Sequence, residues 1–176
     1  MKKKQRLLLG LCIMTFSIST VSMAQNVKGS NFVNAGIGIG TFGFSGTGGL
    51  PVTLSFEHGF TDKISAGVCM AMVHTSYGTD WKYSYYLFGI KGSYHFNEEL
   101  KITNPKLDVY GGASIFYRGY SVKYTGIDNQ KTKASAGGMA IAIHAGARYF
   151  FSSSIGGFAE LGYGISPLQL GLAIRF

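Results

Sequence analysis

The chain has 176 residues, of which 26 are glycine and only 14% are charged, with a formal charge of +8. Each interior glycine costs a helix up to about 1 kcal/mol relative to alanine, so this composition excludes a helical domain. Charge is little over half the usual quarter, too sparse for the wet face of an ordinary soluble β-protein.

Lys2, Lys3, Lys4 and Arg6 open the chain, and a largely apolar stretch runs from Leu7 to Ile18. Ser22-Met23-Ala24 puts small residues three and one before a cut ahead of Gln25. This is the pattern of a secretory signal peptide over 1–24, too short for a spanning helix. Leu11 precedes Cys12 where a lipidation signal would want a small residue, so a lipid anchor is not expected. The cut leaves residues 25–176 as one domain and removes four basic residues and no acid, lowering the formal charge from +8 to +4. The basicity is thus largely a targeting feature and does not mark a nucleic-acid partner. Cys69 is left as the lone mature cysteine, with no metal-ligand spacing around it.

Eight segments of period two follow. The first, 31–41, sets Val33, Ala35, Ile37 and Ile39 against Asn34, Gly36, Gly38 and Gly40. The second, 51–60, sets Val52, Leu54, Phe56 and Phe60 against Thr53, Ser55, Glu57 and Gly59. The third, 64–74, sets Ile64, Ala66, Val68, Met70 and Met72 against Ser65, Gly67, Cys69 and Ala71. The fourth, 83–96, opposes Tyr86, Phe88, Ile90, Tyr94 and Phe96 to Lys91, Ser93 and His95. The fifth, 107–118, opposes Leu107, Val109, Ala113, Ile115 and Tyr117 to Asp108, Tyr110, Gly112, Ser114 and Arg118. The sixth, 138–150, opposes Met139, Ile141, Ile143 and Tyr149 to Ala142, His144, Gly146 and Arg148. In the seventh, 156–165, Ala159, Leu161, Tyr163 and Ile165 alternate with Phe158, Glu160 and Gly162. In the eighth, Leu168 to Phe176, Leu170, Leu172, Ile174 and Phe176 alternate with Gln169, Gly171, Ala173 and Arg175.

Nine or so residues ending on an aromatic suit a bilayer-crossing β-strand. Hydrocarbon pairs with no backbone group, so such strands must close into a barrel. Eight strands leave an interior that small side chains fill, with bulky apolar ones on lipid. The reading is an all-β, eight-stranded antiparallel up-and-down transmembrane β-barrel. Pro51, Pro105 and Pro167 fall at segment edges, where a missing N–H harms no ladder. Segments 41–50, 75–82 and 119–137 read as long outer loops, and 61–63, 97–106 and 152–154 as periplasmic connections, with both termini periplasmic. Phe60, Phe96, Phe151 and Phe176 are expected in one interfacial girdle, and Trp81, Tyr83, Tyr86, Tyr117 and Tyr163 in the other.

The strand pattern, Gly92-Ser93-Tyr94-His95-Phe96, Phe158-Ala159-Glu160-Leu161-Gly162-Tyr163-Gly164 and the terminal Phe176 make residues 31–176 resemble the small outer-membrane barrels of the OmpA/OmpX type. The resemblance implies the cell outer membrane of a Gram-negative bacterium and a barrel without a periplasmic domain. It also implies a last strand, with Leu170, Leu172, Ile174 and Phe176, that the barrel assembly machinery reads. Outer-membrane lipids and lipopolysaccharide are the remaining expected partners of a monomer.

Three sets of residues are candidates for function. Glu57, Asp108 and Glu160 share the inner face with Lys91, Arg148 and Arg175, and with His95 and His144. Arg148 is expected to reach both Asp108 and Glu160. Buried unpaired charge is very costly, so three acids against three bases read as a plug of ion pairs, with a narrow ion or solute channel as the alternative. Lys123, Tyr124, Lys131 and Lys133 in the loop 119–137 form a surface-contact candidate, also suited to lipopolysaccharide phosphates. His74 and Ser76, with Asp80 near, resemble the His-x-Ser pair of outer-membrane lipid A deacylases. The pair lies early in the chain and leads into a loop, so the expectation is a protein that is not an enzyme, with no cofactor and no metal. Its expected role is structural or surface-interacting. His58 reads as an interface anchor and Cys69 as a packing residue. The glycines at 36, 38 and 40 have no following helix and are no phosphate loop.

Overall fold

The computed structural model describes residues 28–42, 44, 48–78, 80–125 and 131–176, with the side chains of 125 and 131–133 excepted. The segment expected to be a signal peptide lies outside them. The strands are β1 (Asn31–Ile39), β2 (Val52–Gly59), β3 (Ile64–Tyr77), β4 (Trp81–His95), β5 (Leu107–Thr125), β6 (Lys131–Phe150), β7 (Ile155–Tyr163) and β8 (Leu168–Arg175). Each pairs antiparallel with its sequence neighbour, and β1 pairs with β8, closing an eight-stranded barrel. All eight expected segments are strands of this barrel.

The outer connections expected at 75–82 and 119–137 are corrected: Thr75 to Tyr77 pair with Trp81 to Tyr83, so most of the first is strand. Residues 119–125 and 131–137 were expected in a loop, but Arg118 to Thr125 continue the ladder opposite Lys131 to Gly138. The physical reason is visible in the residues. Tyr120, Val122 and Tyr124 alternate with Ser121 and Lys123, a β-favouring pattern that the lysines obscure. The barrel is therefore lopsided. β3 to β6 have 14, 15, 19 and 20 residues, whereas β7, β8, β1 and β2 have nine, eight, nine and eight. The four long strands rise as a wall over one side of the rim opposite the termini.

The register sets the tilt. From Phe150 the pairing passes through Gly156, Ala173, Asn34, Ser55, Cys69, Gly89 and Phe116 and returns to β6 at Ala140, ten residues along. With eight strands this stagger inclines the strands by roughly 40° to the barrel axis, the range of membrane barrels.

The alternation separates two faces. Outside, Ile37, Leu54, Met70, Phe88, Ile90, Ile115, Met139, Ile141, Leu161 and Leu172 are all exposed. An unbroken apolar belt of this kind is stable only against hydrocarbon, so the barrel is a membrane protein. Phe60, Phe96, Phe151 and Phe176 are exposed at the end carrying the termini, and Tyr86, Tyr117 and Tyr163 are exposed towards the other, whereas Trp81 has the inward parity of β4 and lies on the Tyr124 ring instead of in the girdle. Tyr83 departs from the expected girdle: its inward parity packs it on Val73, Tyr85 and Leu87 inside. Ile165 departs likewise, because the chain leaves β7 at Tyr163 and turns this residue over the same apolar cluster.

Small inner residues make room for aromatic rings that cross the lumen. Gly36 and Gly171 pair in register. A Cβ at either would lie 2.7 Å from the Phe158 ring, so Phe158 can enter the lumen only past glycine. Phe158 joins Phe32, Phe150 and Ala173 in an apolar layer near the terminal end. A second apolar layer, with Val73, Tyr85, Leu87 and Phe116, fills the lumen towards the wall. Between them lies a polar layer.

At the terminal end, 97–106 is a compact connection. The Asn97 side chain donates to the Leu107 carbonyl at 3.0 Å and accepts from the Val109 N–H at 2.7 Å, fixing the loop to the start of β5. Lys63 pairs with Glu98 and Glu99, each at 2.8 Å, which raises the Lys63 ammonium above the usual lysine range.

Candidate functional site

The polar layer is built by single inward positions on successive strands. Glu57 on β2, Lys91 on β4, Asp108 on β5, Arg148 on β6 and Glu160 on β7 are buried. The Arg148 guanidinium donates to Glu57, to Asp108 Oδ2 at 3.0 Å, and through Nε to Asn34 Oδ1 at 3.2 Å. The rings of Phe32 and Tyr110 lie 4.6 and 4.2 Å from it, on whose faces a planar cation is favourably placed. Lys91 Nζ lies 2.6 Å from Glu160 Oε2 and 3.9 Å from Glu57 Oε1.

Every carboxylate oxygen of the layer has a donor. Glu57 Oε2 accepts from Ser65 at 3.0 Å and Ser93 at 2.7 Å. Glu160 accepts from Tyr110 at 3.2 Å and Gln169 at 3.3 Å besides Lys91. Asp108 Oδ1 faces His95 Nδ1 at 2.7 Å, and His95 Nε2 faces Ser65 Oγ at 2.9 Å. Ser65 has one hydrogen and gives it to Glu57, so its oxygen is left to accept. His144 Nε2 contacts Ser93 Oγ at 3.2 Å.

The structure brings together seven of the eight expected lumen residues and sets one apart. Arg148 meets Asp108 as expected, but its second carboxylate is Glu57; Glu160 is held by Lys91 instead. The register explains this: Arg148 lies opposite Phe158, which directs its guanidinium across the lumen towards β2. Arg175 has no carboxylate partner among the described residues. It lies on the Phe150 ring at 4.9 Å and donates to the Ser153 carbonyl at 2.7 Å. Sequence reasoning missed Asn34, Tyr110 and Gln169, whose inward parity was the available signal. A cavity of about 40 Å³ beside Lys91, His144 and Glu160 has room for very few water molecules.

Phe44 closes over the upper apolar layer, edge-on to Tyr85 at 4.7 Å, with Arg118 above its ring at 5.5 Å. Beyond that level the wall has two unlike faces. Its inner face carries Tyr77, Trp81 and Tyr124 in one register row, with Trp81 and Tyr124 rings 4.6 Å apart. Its outer face carries Lys82 opposite Lys123, and Lys133 is the register partner of Lys123 on β6. Of the surface-contact candidates, Lys123 and Tyr124 are thus on opposite faces of β5, and Lys131 and Lys133 begin β6.

His74 does not meet Ser76. Its Nδ1 contacts Ser84 at 2.9 Å across the β3–β4 ladder, and its Nε2 contacts Met72 Sδ at 3.1 Å. The register explains it, since His74 faces Ser84 while Ser76 faces Lys82. His58 contacts Asn31 at 2.8 Å and stands edge-on to Phe60, and Cys69 is buried on the inner face of β3. Leu170, Leu172, Ile174 and Phe176 line the outer side of β8 and its end.

No family model matches the chain, and no curated protein matches it. Solved structures do. The N-terminal β-barrel domain of Pseudomonas aeruginosa OprF is 17% identical over 85% of this chain and 98% of that one, with a TM-score of 0.57. Ail, the attachment invasion locus protein of Yersinia pestis, is 13% identical over 85% and 100%, with a TM-score of 0.56. A de novo designed transmembrane β-barrel is as similar, at 15% identity over 86% and 99% and a TM-score of 0.57. The chain accordingly has the fold of the small eight-stranded outer-membrane β-barrels, a fold that by itself carries no particular activity.

Proposed function

We propose that this protein is an integral outer-membrane barrel, termini in the periplasm, whose lumen is sealed and whose work is done by the wall of β3 to β6 outside the cell. The role is surface interaction, adhesion or lipopolysaccharide contact, and not catalysis. One observation carries the reading: among the described residues, a polar layer with every carboxylate oxygen satisfied lies between two apolar layers, which supports a lumen without a continuous wet path. The bonding of His74 to Ser84 and Met72 argues against a lipid A hydrolase built on His74 and Ser76. The attachment protein Ail, with the same fold, is consistent with a surface role.

Planar-bilayer recording tests the reading. The wild-type barrel is expected to give no unitary conductance. A reproducible conductance would overturn the seal and favour the narrow channel. Orientation is tested by labelling a cysteine placed at Lys123 on intact cells with a reagent that does not cross the outer membrane. Labelling at Lys123 is expected; labelling of a cysteine at Ser153 instead would reverse the topology.

A further inference from the structure

Three soft donors share the outer face of β3. Met70, Met72 and His74 alternate with the buried Ala71 and Val73, so two thioethers and one imidazole stand on the same side of the ribbon. All three side chains are exposed. The register places them at the water boundary. Met72 faces Tyr86 of the aromatic girdle, and His74 lies one row beyond, opposite Ser84. A row is two residues, or about 5 Å along the membrane normal for strands tilted by roughly 40°.

The imidazole and one thioether converge. His74 Nε2 lies 3.1 Å from Met72 Sδ, and His74 Nδ1 lies 2.9 Å from Ser84 Oγ. The Tyr86 ring stands edge-on to the imidazole, with centroids 6.4 Å apart. In the tautomer with its hydrogen on Nδ1, Ser84 accepts that hydrogen and Nε2 turns a lone pair towards the sulfur. A metal-bound imidazole ordinarily uses its other N–H in this way, which fixes the orientation of the ring. A cation held about 2.0 Å from nitrogen and about 2.3 Å from sulfur leaves the two donors roughly 3–4 Å apart, so the spacing here needs little adjustment. Thioether sulfur is soft and selects Cu(I), whereas carboxylate and water suit magnesium, calcium and manganese. Neutral donors at the margin of hydrocarbon also favour an ion of single charge. Met70 supplies a third donor. Outward neighbours on a strand are about 7 Å apart, and unbranched side chains with three rotatable bonds let the two methionine sulfurs approach one ion.

We propose that Met72 and His74, with Met70 as the third donor, form a Cu(I) site on the outer face of β3. The site lies outside the lumen and stands apart from the surface role proposed above. It departs from the expectation of no metal, which weighed cysteine spacing and not thioethers.

The test is competition for Cu(I) between the full barrel in detergent and a coloured Cu(I) chelator, in oxygen-free buffer with a reductant. The barrel is expected to withdraw one Cu(I) from the chelator. Met70→Leu, Met72→Leu and His74→Phe should each weaken binding at least tenfold. Met139→Leu, at an outward methionine of β6, and Cys69→Ser, at the buried thiol, should leave it unchanged. No withdrawal by wild type, or full affinity in any of the first three variants, overturns the proposal. So does loss of binding in Cys69→Ser, which would put the ion in the lumen, and so does displacement by equimolar Zn(II), which would mark an imidazole site without thioethers. A second measurement reads the donors directly. Ag(I), a redox-inert ion of the same charge, should shift the Met72 ε-methyl resonance and leave that of Met139 in place; the opposite pattern refutes the site. Closure of each variant is checked by heat-modifiable gel mobility, and His74→Gln replaces His74→Phe if the latter does not close.

Discussion

Lys91 and Lys123 occupy adjacent strands of one sheet in opposite circumstances. Lys91 is buried in the lumen, 2.6 Å from Glu160, in a layer where each acid oxygen already has a donor. Lys123 stands on the wall between two further lysines, with no acid in its register row. The lumen supplies partners from within the chain, because a buried unpaired charge is too costly to keep. The wall leaves like charges together, which is tolerable in water at a small cost. The first arrangement stabilises a fold; the second contributes little to it.

The sharpest way to break this contrast is Arg148→Ala. It leaves Glu57 and Asp108 buried without their shared cation, and should cost about 3–5 kcal/mol. Lys123→Ala should stay within about 0.5 kcal/mol. Urea unfolding in detergent, followed by heat-modifiable gel mobility, measures both. Equal effects would show that the lumen pairs do not govern stability. Next comes Gly36→Leu, which pushes a side chain into the space of Phe158 and should destabilise by about 1–3 kcal/mol. Adding Phe158→Ala should then cost less in Gly36→Leu than in wild type, because the two sites share one volume. Strict additivity would refute the packing account.

Deleting 121–134 should change barrel stability by less than about 1 kcal/mol, since it removes ladder only beyond Tyr120. It should also shift the emission of Trp81, the chain's one tryptophan, by taking away Tyr124. Loss of the closed barrel would mean that the wall nucleates closure. The smallest effect belongs to the connection 97–106. Hydrogen bonds from Lys63 and then Tyr94 lower the Glu99 carboxyl to about 2. A depressed carboxyl stabilises above its unfolded value of 4.5 and ceases to do so as pH falls through about 2. Protection factors of the amides in 97–106, with the intrinsic pH dependence of exchange divided out, should therefore fall between pH 4.5 and 2 in wild type, and be flat there in Glu99→Gln.

The strand parity was legible because side chains alternate with a period of two and the two faces meet such different surroundings. Val33, Val68, Ile90 and Ile141 announce lipid as plainly as Ser65 and Ser93 announce the lumen. The inward aromatics were harder. Phe32, Phe116 and Phe150 look like lipid-facing residues until their parity is counted. The Arg148–Glu57 pair was not legible, because two inward residues on β6 and β2 meet only through the stagger of the whole barrel. The wall was concealed by its lysines, which read as loop although Tyr120, Val122 and Tyr124 keep the alternation. His74 and Ser76 misled in the opposite way: proximity in sequence is not contact in a ladder, where the partner is set by register.

The seam between β1 and β8 carries a consequence for how the molecule is made. Phe32 pairs with Arg175 and Ile39 with Leu168, so the first and last strands meet across nearly the whole length of the domain. A ribosome-bound chain lacking β8 would present two unpaired edges to any bilayer, with no intermediate size at which hydrocarbon becomes hospitable. Insertion must therefore await release of β8. During that wait, seven segments carry alternating apolar faces with no hydrocarbon to meet, the condition under which chains aggregate.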